Sequence, residues 1–423
     1  MTLRIRETPR PGPLLRVAVV MAACAASCAS VPDVAVPVAG VDQHRPTPDV
    51  TTTVGMLTAT PEPTDVVLPS APSAPSATTV TTTTLTTASA TVPTTTTLPA
   101  PVTGWDAFDL HLQSILDADP VTVTDRFRVA SISKVVTAIA LLRLVESGLI
   151  DLDESIGNRL ASAVGVSSPA FRVSQITPRN LLTHRSGIPQ FENLMFRREV
   201  ESCREAGAAG LSQSLDRDPG TTFRYSNLNF CLLGLLIEDI TGRPYTDVAR
   251  DETLAPLGLD TMRLAGTFDV DDGDVEHQSD AGRNYMEVLG AAGSWIASPT
   301  DIATIINSLD LDTPGWKPLE AQTIADMRTV PVDAPAPPAE GVDPASTTAT
   351  LPPPPETRGY GLGLMVFGPE SFGHTGTLES THAMAARQAD GITWAIAVSG
   401  DFPSSTRDLA GIIGNAMRLA DIT

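Results

Sequence analysis

Lysine is almost missing from this chain. Of its 28 basic residues only Lys134 and Lys317 are lysines, and every other one is arginine. No basic patch stands against a net charge of −21, which excludes nucleic acid as a partner. No Cys-x-x-Cys, His-Glu-x-x-His or Gly-x-Ser-x-Gly occurs, so neither a zinc site nor an α/β-hydrolase elbow has support. The acidic run Asp269–Glu276 lacks the alternating oxygens and glycine of a calcium loop and reads as a solvated loop. No metal and no cofactor is expected.

The N-terminus has the look of a secretory leader. Arg4, Arg6, Arg10 and Arg16 precede the apolar run Val17–Ala26, which is too short to span a bilayer. Ala25-Ala-Ser-Cys28 resembles the lipidation box of bacterial lipoproteins, with an alanine where a larger aliphatic residue is usual. Residues 1–29 are therefore expected to be a signal peptide, with Cys28 lipidated, or else cleaved near Ala29 and the protein secreted. Residues 30–103 are rich in Thr, Pro, Val and Ala, a composition that cannot bury a core, and read as an extended stalk. Residues 104–423 form the globular part, carrying a Pro-rich insertion over 330–355. Cys24 leaves with the leader. Cys203 and Cys231 are then an even pair in an oxidising compartment and are expected to form a disulfide, the alternative being two unrelated thiols with Cys231 simply part of the core.

Within the globular part, Ser131–Glu146 is apolar on nearly all sides beyond its first turn, which makes it a central helix. Thr177-Pro178 opens a short helix through Leu182, and Asn227–Thr241 forms another that closes at Gly242. Ser298-Pro-Thr-Asp301 is a capping box for the helix Ile302–Leu309. Tyr360–Phe367, Phe372–Leu378, Thr381–Arg387 and Ile392–Val398 read as strands, and Thr406–Leu419 as a last helix. Helices in the middle with strands gathered late imply an α+β fold with a largely antiparallel sheet flanked by helices.

The scarce lysine sits where chemistry would use it. Ser131 and Lys134 are one helical turn apart, the arrangement a serine nucleophile needs when its base is an amine. An amine can give up its proton on burial, whereas a guanidinium stays charged. Alone the pair is weak, because Ser and Lys share this spacing in many solvated helices. Tyr225 and Asn227 sit on a turn before a helix, His374-Thr375-Gly376 begins a strand, and His184 ends a short helix. Taken singly, each has an ordinary structural role: a buried aromatic, an N-cap, a surface histidine, a satisfied core histidine.

In order and together, Ser131-x-x-Lys134, Tyr225-x-Asn227 and His374-Thr-Gly376 resemble the serine β-lactamase and D,D-carboxypeptidase superfamily, nearest its class C-like branch, which includes esterases. Leu181-Leu-Thr-His-Arg-Ser-Gly187 and Tyr360-Gly-Leu-Gly363 support it, and the resemblance covers about Thr124 to Asp401. It implies the β-lactamase/transpeptidase-like fold with a helical subdomain. It also implies roles: Ser131 acylated, Tyr225 abstracting its proton and later protonating the leaving group with Lys134 neutral or sharing a proton with it, Asn227 holding the substrate amide, and the N–H groups of Ser131 and Thr377 forming the oxyanion hole. His374 and Thr375 would face the substrate's carboxyl end, with His184 structural. A histidine at 374 in place of lysine would then read substrate charge as pH rises through about 6 to 7.5.

Two departures stand out. Relatives usually carry a helix and a two-stranded hairpin before the nucleophile. Here about thirty residues separate the stalk from Ser131, and Trp105–Leu116 reads as one helix, so N-terminal strands are expected to be short or absent. Past Gly376, Glu379 or Ser380 stands where glycine is common, narrowing or recharging the rim. The expected protein is a monomeric, surface-anchored serine hydrolase on the outer face of the membrane, cleaving a D-Ala-D-Ala-type peptide of peptidoglycan, a β-lactam or an ester. The alternative is a non-catalytic envelope-binding lipoprotein on the same fold.

Overall fold

A computed structural model describes residues 16–23 as backbone, together with 121–189, 196, 198–331, 358–400, 409–411, 413 and 414. The chain divides into two units, one of residues 1–26 with 102–423 and one of residues 27–101. Cys24, Cys28, the stalk, the helix expected over Trp105–Leu116 and nearly all of the Pro-rich insertion lie outside the described residues.

The central helix α1 (Ser133–Glu146) follows a single 3-10 turn over Ala130–Ile132, so the expected helix begins two residues late. Its side chains from Ser133 to Leu142 are all buried, polar and apolar alike. That agrees with a sequence lacking any polar face in this stretch. Helix α2 (Gly157–Ala163) follows, and α3 (Pro178–Leu182) carries a full capping box between Thr177 and Asn180. Helix α4 (Cys203–Leu211) precedes α5 (Asn227–Thr241), and α5 ends in a left-handed Gly242 at φ 66°. Short helices α6 (Tyr245–Ala249) and α7 (Tyr285–Leu289) lead to α8 (Pro299–Ser308) and α9 (Ala321–Met327). Ser298 and Asp301 cap α8 reciprocally.

The large sheet has six antiparallel strands. In chain order these are β1 (Arg16–Ala23), β5 (Gly359–Tyr360), β6 (Met365–Gly368), β7 (Ser371–Leu378), β8 (Thr381–Arg387) and β9 (Ile392–Ser399), in spatial order β1-β9-β8-β7-β6-β5. All of β8 and nearly all of β9 is buried on both faces, and their many alanines leave room for helices to lie close. A second sheet, β2 (Phe127–Arg128), β4 (Trp295–Ala297) and β3 (Arg263–Leu264), ties the approach to Ser131 to the middle of the chain. This small sheet was not foreseen, since two-residue strands carry no periodicity.

One expectation is corrected here. The strand expected over Tyr360–Phe367 is two strands with a turn between them, where Gly361 N donates to Leu364 O at 2.8 Å and Gly363 has φ +77°. The turn lies against α1 and α9: a Cβ on Gly363 would meet Ala138 Cβ at 2.4 Å, and one on Gly361 would meet Met327 O at 2.0 Å. The N-terminal apolar run, expected to be a signal peptide, pairs as β1 with β9 over eight residues from Arg16↔Ser399 to Ala23↔Ile392. The same β-branched, apolar residues that suit a leader also suit a strand beside an otherwise open edge.

Candidate active site

Ser131 lies in the 3-10 turn at the head of α1, and the residue before it is held in an unusual conformation. Ala130 has φ +49°, a left-handed geometry that only glycine adopts freely, and it is fully buried. Val129 N donates to Trp295 O at 3.3 Å, so the small sheet fixes the strand that leads into this turn. On the other side β7 presses close: a Cβ on Gly376 would lie 2.2 Å from Val129 O and 3.0 Å from Ala130 Cβ. No residue with a side chain fits at 376, so β7 runs directly against the residues that precede the nucleophile, and the next residue, Thr377, is exposed.

Lys134 has no exposed surface, and its amine is fully engaged. Nζ lies 3.0 Å from Ser131 Oγ, 2.8 Å from Asn227 Oδ1 and 2.6 Å from Ala292 O. The last two atoms are acceptors only, so each takes one N–H. The third direction faces Ser131. In the amine form of the side chain that direction is a lone pair, aimed at the serine hydroxyl. In the ammonium form it is a third donor to Oγ.

Tyr225 is half-buried beside this group, its ring centroid 5.1 Å from Lys134 Nζ. Asn227 begins α5, which places its amide against Lys134. Ser131, Lys134, Tyr225 and Asn227 are thus brought together as the motif order implied. Thr375 is half-buried, with Oγ1 3.6 Å from Met365 Sδ.

His374 differs from expectation. It is fully buried, its Nε2 accepts from Tyr360 OH at 2.9 Å, and its Nδ1 donates to Thr375 O at 2.6 Å. Both nitrogens are used inside the protein, which fixes the neutral tautomer and leaves none to face a substrate. Burial, with the positive charge of Lys134 nearby, pushes its pKa down to about 3. Burial, then the neighbouring Tyr225, raises the Tyr360 phenol well above its usual range.

His184 is part of this group. Its ring lies 4.2 Å from the Tyr225 ring, 4.6 Å from Tyr360 and 5.2 Å from Phe230. Burial, then Lys134 and His374, holds it neutral, well below the usual histidine range. Of these partners, the Ala292 carbonyl had no signal in the sequence, while Tyr360 stood in a supporting phrase without a role and His184 with a structural one. At the rim, Glu379 accepts from the Ser279 hydroxyl and lies 3.9 Å from Arg283 Nε, so its carboxylate is already held by two neighbours.

The disulfide expected between Cys203 and Cys231 is present and joins the start of α4 to α5, whose first residue is Asn227. Among the described residues no group of His, Cys, Asp and Glu is arranged to hold a metal ion, and no helix is long and apolar enough to cross a membrane.

Comparison with known proteins agrees with this geometry. A profile of the Beta-lactamase family matches residues 102–416. Among curated proteins, the probable fimbrial assembly protein FimD, serogroup H1, of Dichelobacter nodosus is 31% identical over 205 residues, covering 46% of this chain and 51% of that protein. Protein flp of Staphylococcus aureus strain MW2 is 29% identical over 145 residues, 32% of this chain and 27% of its own length. The chain therefore spans about half or less of the length of these relatives. Among solved structures, a D-stereospecific amidohydrolase from a Streptomyces species is 27% identical at a TM-score of 0.52, covering 68% of this chain and 86% of that one. The D-amino acid amidase of Ochrobactrum anthropi SV3 (23% identity, TM-score 0.53, 72% and 88% coverage) shares the fold, as does a penicillin-binding protein of Bacillus halodurans (18%, 0.53, 71% and 88%). With its paired serine and lysine, its antiparallel sheet and a family profile spanning most of its length, this chain belongs to the Beta-lactamase family of serine hydrolases.

Proposed function

We propose that the protein is an acyl-transferring serine hydrolase acting on amide or peptide bonds of D-amino-acid-derived substrates, with Ser131 as nucleophile. One observation carries this: Lys134 Nζ, with two of its three directions taken by obligate acceptors, points its third at Ser131 Oγ from 3.0 Å. In the proposed cycle the Lys134 amine takes the Ser131 proton as Oγ bonds to the carbonyl carbon. The N–H groups of Ser131 and Thr377 receive the oxyanion, each donor of this kind contributing roughly 3 kcal/mol. Tyr225 passes a proton to the departing nitrogen, the C–N bond breaks, and water then hydrolyses the Ser131 ester with the proton steps reversed. The amide substrate class is favoured over esters and β-lactams by the Streptomyces amidohydrolase, the most similar in sequence of the structures compared above.

The test is labelling with a fluorescent fluorophosphonate, followed by turnover of a D-phenylalanine amide. Wild type should label at Ser131 and release ammonia, and Ser131→Ala should do neither. An unlabelled wild type would instead favour a binding protein on the same fold.

We also propose that the protein acts as a monomer on the outer face of a membrane, held through a lipid on Cys28. The small residues leading to Cys28, and the Thr/Pro-rich stretch after it, motivate this. Cys28→Ala should move the protein from the membrane fraction to the medium. Cleavage before Cys28 would also remove β1, so N-terminal sequencing of the mature protein decides between a leader and an edge strand.

A further inference from the structure

We infer that His184 is a positioning residue for Tyr225, fixing the proton-transferring phenol in place from three directions. The inference rests on the acyl-transfer reading above. His184 holds the chain on both sides of the tyrosine. Its backbone oxygen accepts from Arg224 N at 2.8 Å, and its Nδ1 accepts from Ser226 N at 3.3 Å. Its ring then lies across Tyr225, with centroids 4.2 Å apart and planes inclined at 38°. The residue before, the residue after and the phenol ring itself thus all meet one histidine.

The histidine is itself held rigidly. Asn229 Nδ2 donates to Nδ1 at 3.1 Å, while Asn229 Oδ1 accepts from Ser186 Oγ at 2.7 Å. Nδ1 therefore serves as acceptor, and the single ring proton resides on Nε2. Nε2 is buried without a hydrogen-bond partner among the described atoms, in a ring enclosed by Tyr225, Phe230 and Tyr360. The backbone adds a second unfavourable feature, φ +54° at a residue with a side chain. A left-handed backbone and an unsatisfied buried N–H on one residue are what folds retain where placement of a neighbour matters, and the neighbour here is Tyr225. A surface or ordinary core histidine would need neither. The charged and titratable groups around it are Lys134 and His374, with the phenols of Tyr225 and Tyr360, and none supplies a negative charge that would favour an imidazolium. It acts as a neutral spacer and acceptor, not as an acid or base.

The test separates the ring from the acceptor. His184→Phe keeps a ring and loses Nδ1. His184→Asn keeps an acceptor at the same branch point and tolerates the left-handed backbone. Using the full chain and a chromogenic amide, kcat per folded molecule should fall about 100-fold in His184→Phe with KM changed by less than about threefold, the loss expected when a reacting group shifts by about 1 Å. His184→Asn should recover at least about tenfold of that loss. In a Tyr225→Phe background, His184→Asn should change the residual Ser131 labelling rate by less than about twofold, because the group it positions is gone. That last comparison stands even if His184→Phe fails to fold. A full, additive cost in the Tyr225→Phe background would overturn the inference, as would kcat in His184→Phe within about threefold of wild type. A wild type that never acylates Ser131 would overturn the acyl-transfer reading itself, and is told apart because it needs no variant.

Discussion

Tyr360 donates its hydroxyl hydrogen to Nε2 of His374 at 2.9 Å, so the buried imidazole spends that nitrogen on the protein and not on a substrate. With Nδ1 committed to Thr375 O and the pKa lowered to about 3, the imidazole stays neutral at every pH at which the protein would be assayed. The ratio of kcat/KM for a carboxylate-ended substrate to that for a neutral one should therefore stay level between pH 5 and pH 8. Tyr360→Phe should leave the ratio level as well, because burial and the nearby charge of Lys134, not the phenol, hold the imidazole neutral. A sloping ratio in wild type would show that His374 is not held neutral by its burial.

Lys134→Arg should be nearly as inactive as Lys134→Ala. A guanidinium supplies donors to Asn227 and Ala292 but cannot take up the Ser131 proton. Losses of about 1,000-fold or more in the Ser131 labelling rate are expected for both. Arginine keeping a tenth of wild-type activity would rule out the amine as base.

Gly376→Ala should abolish labelling and lower stability together. The obstacle is a backbone oxygen, Val129 O at 2.2 Å, which cannot rotate aside as a side chain does. Either β7 moves away from the nucleophile turn or the turn itself moves, and each displaces the proposed oxyanion donors. At least about 100-fold in kcat and a clear drop in Tm are expected, measured by kinetics and thermal melting.

Stability should fall on the acid side before carboxylates titrate. His374 and His277 are both pushed down to about 3 by burial, and His184 is lowered in the same direction. Unfolded histidines take up protons near 6.5, so between about 3 and 6.5 the unfolded chain holds more protons and stability rises with pH. At pH 5 the fully buried His374 alone should lower unfolding free energy by at most about 2 kcal/mol relative to pH 8. Denaturant melts at the two pH values measure it. Identical midpoints would mean these rings are wetter than their burial indicates.

Reduction of the Cys203–Cys231 bridge should lower stability by roughly 3 to 4 kcal/mol, the loop-closure value for its 28-residue separation. Because α5 begins at Asn227, activity in mild denaturant should fall with it. Melts with and without reductant give the answer.

Much of this architecture was legible in the sequence, for identifiable reasons. Asn227–Thr241 matched residue for residue because an apolar run met a glycine at its end. The Ser131–Lys134 pair was legible because lysine is so rare here. What escaped was chemistry without a sequence signature. The Ala292 carbonyl that takes a Lys134 hydrogen is a backbone atom of an ordinary residue. The Tyr360–His374 bond joins a two-residue strand to its neighbour but one, and only the sheet order shows that they meet. The strand break at Gly361–Leu364 was hidden because apolar residues on either side continued the alternation.

The burial of Lys134 also turns the protein into its own reporter of opening. A protease specific for lysine finds two sites in the whole chain, and the bond after Lys317 leads into Pro318, which such enzymes cut poorly. That leaves Lys134–Val135, inside α1, where neither residue has exposed surface. Cutting there requires the central helix to come out of the core, so the rate at which the chain falls into two pieces counts excursions of the active-site helix and of almost nothing else.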